Sequence, residues 1–298
     1  GFWARLKRDF KKNYQLYLLV LPVLLYYIIF CYKPMYGALI AFQDYNPLNP
    51  GVLNNEWVGF KNFIDFFQGK YFWRLIKNTV TISLSSIIFG FPIPIIFALL
   101  LNEITHKKFV KVIQTMSYMP HFISIVVVCS MIMSFTNSGG FINEIAQFFG
   151  YSGKPMLSNS GLFVPIYVIS AIWQGMGWDS ILYIAALAGI NQELYEAAEI
   201  DGAGEVTKFF KIAIPLISPT LFYLFCTGFI GNLQAYVDSQ VFANGHPGAQ
   251  TIVYFIWNYG ISRSRYGIAS AASVVLTISI MIITLLQFKI SEKWVYSE

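Results

Sequence analysis

Six stretches of this chain are too long and too apolar to be the core of a water-soluble domain. They run from Leu16 to Tyr32, then over about Asn78 to Leu101, Val112 to Phe135, Leu162 to Ile190, Leu216 to Tyr236 and Tyr266 to Lys289. A helix rises about 1.5 Å per residue, so roughly 20 apolar residues cross the ~30 Å hydrocarbon core of a bilayer. Inside that core every backbone N–H and C=O must be satisfied within the chain, which restricts spanning structures to helices and closed barrels. The expected fold is therefore an all-α integral membrane protein with six transmembrane helices, treated as one membrane domain over residues 1–298. Charged residues make up 12% of the chain, about half of what soluble domains carry. The net charge of +5 does not point to nucleic acid, because the basic residues are scattered or flank the apolar runs, where lipid headgroups and topology account for them.

An even number of spans puts both termini on one side. Of the 20 Lys and Arg, twelve fall on the side of the termini and eight on the other, so the positive-inside rule makes the first side cytoplasmic. The cluster Arg5, Lys7, Arg8, Lys11 and Lys12, interleaved with Phe2, Trp3, Leu6 and Phe10, predicts a cytoplasmic amphipathic helix over residues 1–14 lying in the membrane interface. The chain begins at Gly1, which suggests that a preceding piece was removed or never included. No small-residue cleavage site follows the first span, so a removed signal peptide is not expected. On the opposite side, Asn46-Pro47 and Asn49-Pro50-Gly51 are turn signals. Phe60, Phe63, Ile64 and Phe67 then repeat at helical spacing opposite Lys61, Asn62 and Asp65, the pattern of a second interfacial helix. Gly90, Pro92 and Pro94 predict a kink in the second span. Residues 105–111 are expected to form a short basic turn and 137–161 a glycine-rich outer loop. Cys31, Cys129 and Cys226 all sit in apolar runs and imply no disulfide framework.

Between the fourth and fifth spans lies the longest strongly polar interval, Glu193 to Pro215. Five acids, Glu193, Glu196, Glu199, Asp201 and Glu205, fall within thirteen residues. Asn191 is placed as a helix N-cap with acids in the first turns, where the helix dipole favours them. Gly202 and Gly204 are expected to stop that helix, because glycine tolerates the left-handed conformation of a C-cap. A second amphipathic segment follows, with Val206, Phe209, Phe210 and Ile212 apolar and Lys208 and Lys211 polar, and Pro215 is expected to open the next helix. A solvated hairpin would have the same composition. The spacing Glu196-Ala197-Ala198, Gly202, Ile212 and Pro215, however, closely resembles the EAA loop of permease subunits in bacterial binding-protein-dependent ABC importers, with Ile214 where the family usually has Leu. The strings YKPMYGALIAFQDYNP and WVGFKNF also resemble the carbohydrate branch of that family, which transports oligosaccharides and larger glycans. The outer segment Asn244-Gly245-His246-Pro247-Gly248 departs from the Gly-Gly-Pro usual in that family, at the place where the family contacts its binding protein.

The resemblance implies a function and a set of partners. The chain would form half of a translocation path in the bacterial cytoplasmic (inner) membrane, for an oligosaccharide or polysaccharide such as the acidic glycan alginate. It would work with a second permease subunit in a heterodimer, a cytoplasmic ATPase dimer and an extracytoplasmic solute-binding protein. ATP and Mg would be held by the ATPase, with no cofactor on this chain. Glu196, Ala197, Ala198, Asp201, Gly202, Ile212 and Pro215 are the residues the resemblance assigns to ATPase docking. The chain's own residues agree that it is not an enzyme: it has no P-loop spacing, no HExxH, no GxSxG and no Cys/His pair at zinc spacing. His121, with no partner at metal spacing, reads as a packing or hydrogen-bonding residue.

Polar groups inside spans are expensive in lipid and usually face the bundle interior or a water-filled cavity. By that logic Ser170, Trp173, Gln174, Trp178 and Asp179 on the fourth span, with Asn232 and Gln234 on the fifth, are the candidate substrate path. Hydrogen-bonding groups beside aromatic rings suit a sugar, which has an apolar face and a hydroxyl edge. Interhelical hydrogen bonding that only holds the bundle together is the competing reading. The alternative function is an ion-coupled secondary transporter using Asp179, but no paired halves of the kind such proteins show are visible.

Overall fold

A computed structural model describes residues 2–49, 51–52, 54–234, 242 and 247–295. It is helical nearly throughout and holds six helices long and apolar enough to cross a membrane: Arg8–Phe42, Phe72–Glu103, Ile125–Phe148, Ser160–Ala188, Glu205–Leu233 and Tyr266–Ser291. Two compact units are distinguishable, residues 1–69 with 256–274, and residues 70–255 with 275–298.

In the first unit the helix Phe2–Tyr26 leaves helical geometry at Asn13 (φ −118°, ψ 25°). The basic N-terminal segment and the first span are thus two helices meeting at that residue. Asp9 holds the junction from the basic side, accepting hydrogen bonds from Asn13 Nδ2 and the Tyr17 hydroxyl, each at 2.7 Å. The helix continues through a π turn at Tyr27–Tyr32 into Lys33–Met35 and a 3₁₀ stretch Tyr36–Phe42. Proline lacks the N–H that the ladder needs and its ring crowds the carbonyl one turn back. Widening to i→i+5 bonds just before Pro34 lets the helix pass it without breaking. After the helix, Gln43–Asp44 pairs antiparallel with Glu56–Trp57. The turn between them is held by Asn55, whose Oδ1 accepts from Asn46 N at 2.9 Å and whose Nδ2 donates to Gly51 O at 2.8 Å. The second interfacial helix forms as the periodicity predicts, over Lys61–Phe67. Asn62 Nδ2 fastens it to the carbonyls of Ala41 (3.0 Å) and Gln43 (2.9 Å).

Among the described residues of the second unit, two apolar clusters position the site. One gathers Ile82, Cys129, Phe163, Tyr167 and Val168, and the other Ile95, Ala98, Tyr183, Leu187, Ala213 and Ile217. The fourth span contributes to both. The expected kink in the second span corresponds to the junction of helices Phe72–Gly90 and Pro92–Glu103 at Phe91, which keeps helical dihedrals and still donates to Ile87 O at 3.0 Å.

Three expectations are corrected here. The third span does not run unbroken from Val112 to Phe135: helix Lys107–Tyr118 ends in a 3₁₀ turn at Met119–Phe122, and a new helix starts at Ile125. Pro120 removes a donor and Ile123 and Ser124 turn extended, so the α ladder cannot carry through. The basic residues 107–111 belong to the first of those helices, which His106 caps by accepting from Phe109 N at 3.2 Å, and 137–161 contains a helix, Phe141–Phe148. The helix of the fifth span is described to Leu233; Tyr236, its expected end, and Asn244, Gly245 and His246 lie outside the described residues.

Candidate functional site

The loop between the fourth and fifth spans folds as helix, glycine turn, helix. Asn191 caps the first helix, Gln192–Ile200, by accepting from Glu193 N at 3.1 Å. At its other end Gly202 adopts φ +75°, and two bonds close the turn: Gly202 N to Glu199 O (3.0 Å) and Ala203 N to Ala198 O (2.9 Å). That pair of bonds is a Schellman cap, which needs a left-handed residue at the position Gly202 occupies. Gly204 was expected to share this role and does not. Its φ of −74° and ψ of 166° are extended backbone, and it begins the next helix. Pro215 stands, as expected, in the first turn of the helix Ile214–Leu233, which follows without a gap from Glu205–Lys208 through a π turn at Phe209–Ala213. The reason is the one given for Pro34, since the wider turn accommodates the missing N–H.

Exposure divides the motif residues. Glu196, Ala197, Asp201, Gly202 and Pro215 are exposed, Ala198 and Ile212 half-buried. Glu196 makes no ion pair among the described residues. Three apolar side chains also point outward, Ile200 (87% exposed), Val206 (71%) and Phe210 (63%). Phe209 instead packs on the core around Ala213 and Ile217, so the apolar face expected from Val206 to Ile212 is split between inside and outside. Lys208, expected to be solvated, is buried to 7% exposure and bridges Glu199 at 2.7 Å and Glu205 at 2.6 Å. It joins the end of the first loop helix to the start of the second. Tyr195 lies on the inner side of the same helix, where burial and, less strongly, the Glu103 carboxylate push its phenol pKa up. A short exposed helix, capped at both ends and tied to the next helix by an ion pair, presents an apolar and acidic outer surface, and the core to which three spans contribute begins only beyond its two ends, at Ile190 and Phe209.

The candidate path residues separate into two groups. Asp179 and Asn232 line one cleft of about 270 Å³, together with Ser86, Phe91, Tyr183 and Thr227. Gly175 leaves room for the Asp179 carboxylate, since a Cβ there would sit 3.1 Å from Oδ2. The face made by Ser170, Gln174 and Trp178 is directed elsewhere. Gln174 Nε2 donates to Ile123 O at 3.0 Å, and Trp178 stacks on His121 with ring centroids 4.5 Å apart and planes 3° from parallel. Both contacts hold the broken third span against the fourth. Ser170 is buried and donates to Tyr167 O at 2.8 Å. Trp173 is 41% exposed and Gln234 exposed, neither at the cleft. Gly177 allows the backbone of Ser117 to touch the fourth span directly. No group of His, Cys, Asp and Glu that could hold a metal occurs among the described residues.

Residues 90–295 match the family described as binding-protein-dependent transport system inner membrane component. The chain is 35% identical over 283 residues, 94% of its length and 88% of that protein's, to the polygalacturonan/rhamnogalacturonan transport system permease protein YteP of Bacillus subtilis (strain 168). It also superposes on a chain of the crystal structure of a bacterial ABC transporter involved in the import of the acidic polysaccharide alginate, with a TM-score of 0.89 and 35% identity, covering 97% of this chain and 99% of that one. A second structure, the bacterial alginate ABC transporter in complex with an alginate pentasaccharide-bound periplasmic protein, gives a TM-score of 0.88 at 35% identity over 97% of this chain and 98% of that one.

Proposed function

The chain belongs to the family of binding-protein-dependent transport system inner membrane components, and we infer that it is the permease subunit of an ATP-driven importer, forming half of the path for an oligosaccharide or polysaccharide. The observation that carries this reading is the loop between the fourth and fifth spans: an exposed helix capped at both ends and tied to the following helix through the Glu199–Lys208 ion pair. Coupling ATP hydrolysis to transport requires such a contact, because closure of an ATPase moves the spans only if the connecting element is stiff. Glu196, Ala197, Ala198, Asp201, Gly202, Ile212 and Pro215 form the docking face, and Ile200, Val206 and Phe210 extend it. The remaining partners are a second permease subunit completing a heterodimer, a cytoplasmic ATPase dimer holding ATP and Mg, and an extracytoplasmic binding protein. The setting is the bacterial inner membrane, with both termini and the loop cytoplasmic.

Asp179 and Asn232 mark this chain's side of the path. The cleft they line has hydroxyl, amide and aromatic groups and one carboxylate, and no Lys or Arg. An ion-coupled transporter would use the same Asp179; membership of the permease family supports the reading in which a separate ATPase supplies the energy instead. Reconstitution with the partner subunits tests the reading. Transport should require ATP hydrolysis by a co-purifying ATPase; transport driven by an ion gradient in its absence refutes it.

A further inference from the structure

In the first unit, the ribbon residues Gln43 and Asp44, the helix residues Lys61, Asn62 and Asp65, and the stretch 264–268 enclose a pocket of about 230 Å³. One wall is anomalous. Gln43 has no exposed surface, yet neither its Nε2 nor its Oε1 has a hydrogen-bond partner. Buried polar atoms are almost always paired, and an amide left without either bond is costly. Its neighbour Asn62, by contrast, spends its amide donors on Ala41 and Gln43 carbonyls, so the pocket does not lack partners through loose packing. Gly267 keeps the far wall close, since a Cβ there would lie 2.6 Å from Asn62 Nδ2. At the rim stand two acids, Asp44 and Asp65, and two bases, Lys61 and Arg265, all exposed and forming no ion pair with one another. Tyr45 and Tyr266, edge to face with centroids 5.7 Å apart, complete the lining.

We propose that this pocket is a subsite for one sugar unit of an acidic glycan. The proposal rests on the reading of the chain as a glycan importer permease. The Gln43 amide has a free donor beside a free acceptor, which match adjacent hydroxyls, and because neither atom is accessible here the side chain must turn toward the pocket for a sugar to reach it. Carboxylates accept from further hydroxyls, and Lys61 and Arg265 are the groups a uronate carboxylate needs. A bare divalent cation fits poorly, because the same two bases face it. Such a subsite places acid recognition on segments that the span count puts outside, whereas the cleft around Asp179 contains no cation to hold a uronate.

The test is binding of trigalacturonate to the importer purified with its partner subunits in nanodiscs, without binding protein, followed by saturation-transfer NMR, with maltotriose as the neutral probe. Saturable binding of trigalacturonate is expected, at least tenfold weaker in Gln43→Leu. The preference over maltotriose should vanish in Lys61→Gln/Arg265→Gln, whose substituted side chains are exposed and leave the fold intact. Absence of saturable binding to the wild type, equal binding of the two sugars, or Gln43→Leu that melts higher with unchanged affinity overturns the proposal. Coupled ATP hydrolysis in the same preparation separates this failure from failure of the importer reading: if hydrolysis stays coupled while binding is absent, only the subsite falls.

Discussion

Gly202 and Gly204 offer a comparison in which the same substitution at two nearby positions should give opposite results. Gly202 is held at φ +75° and Gly204 at −74°, and a Cβ at either site would meet nothing within 4 Å. Steric contact with neighbours is therefore absent at both, and only backbone conformation distinguishes them. An L-residue in the left-handed region costs about 1–2 kcal/mol, and a β-branched one stands at the high end. If the chain escapes that strain, it gives up the two Schellman bonds from Gly202 N and Ala203 N, each worth about 1 kcal/mol. Either way the capped conformation of the loop helix loses roughly 1.5–2 kcal/mol, which is more than a tenfold drop in the equilibrium constant that favours it. Gly204 instead begins a helix, where threonine serves about as well as glycine.

Gly202→Thr should thus weaken association of the ATPase, by up to about tenfold, and depress substrate-stimulated hydrolysis with it, while Gly204→Thr should leave both close to wild type. No lipid-facing residue changes, so the yield of inserted protein should be the same. The assay is titration of the ATPase onto vesicles containing the permease, with hydrolysis read on the same samples. Equal effects at the two positions, or no effect at Gly202, would show that the cap geometry does not carry the coupling.

Glu196→Lys should weaken ATPase association more at low salt than at high salt, as expected for an exposed charge contact; a salt-independent loss would indicate misfolding of the loop. Lys208→Met removes the tie between Glu199 and Glu205 and should lower coupled hydrolysis more than it lowers ATPase association, measured by co-purification; an unchanged hydrolysis-to-transport ratio refutes the tie. Asp179→Asn should reduce transport at saturating binding protein without affecting assembly, whereas Ser170→Ala, whose hydroxyl bonds only its own helix, should stay within about 1 kcal/mol of wild-type stability and transport normally. In a background with the native cysteines replaced, a cysteine at exposed Ser152 should react with an impermeant thiol reagent from outside and one at Val206 only after permeabilisation; the reverse pattern inverts the topology.

What the sequence made legible was local. Asn191 as a cap and Gly202 as a left-handed turn depend on a handful of neighbouring residues, and both occupy the geometry their residue types require. The spans follow from apolar length alone, which is why their number is right while their ends drift: the hydropathy of Val112 to Phe135 is continuous, but Pro120 and the extended residues after it are not compatible with a continuous ladder. Gly204 misled because composition shows that glycine can adopt positive φ and cannot show that it must. Pro215 does sit in the first turn of a helix, and what the sequence did not show is that a π turn joins that helix to the one before it.

Features that depend on residues distant in sequence were invisible for a physical reason. Lys208 reads as solvated in any window centred on it, and becomes buried only because Glu199, on the preceding helix, folds back to neutralise it. The face shared by Ser170, Gln174 and Trp178 was read correctly as one stripe of a helix, but periodicity specifies a face without specifying what it meets. The break in the third span supplies the answer: with the ladder interrupted at Pro120, the Ile123 carbonyl is open to accept from Gln174, and His121 is placed flat on Trp178. The polar stripe is thus occupied on this chain by a backbone carbonyl and an imidazole. Asp179, one residue beyond that stripe, turns to the cleft instead. A single helical step, about 100° of rotation, therefore separates residues that hold the bundle together from the one that faces the cleft, and a substitution that rotated this helix would exchange their roles before it unfolded anything.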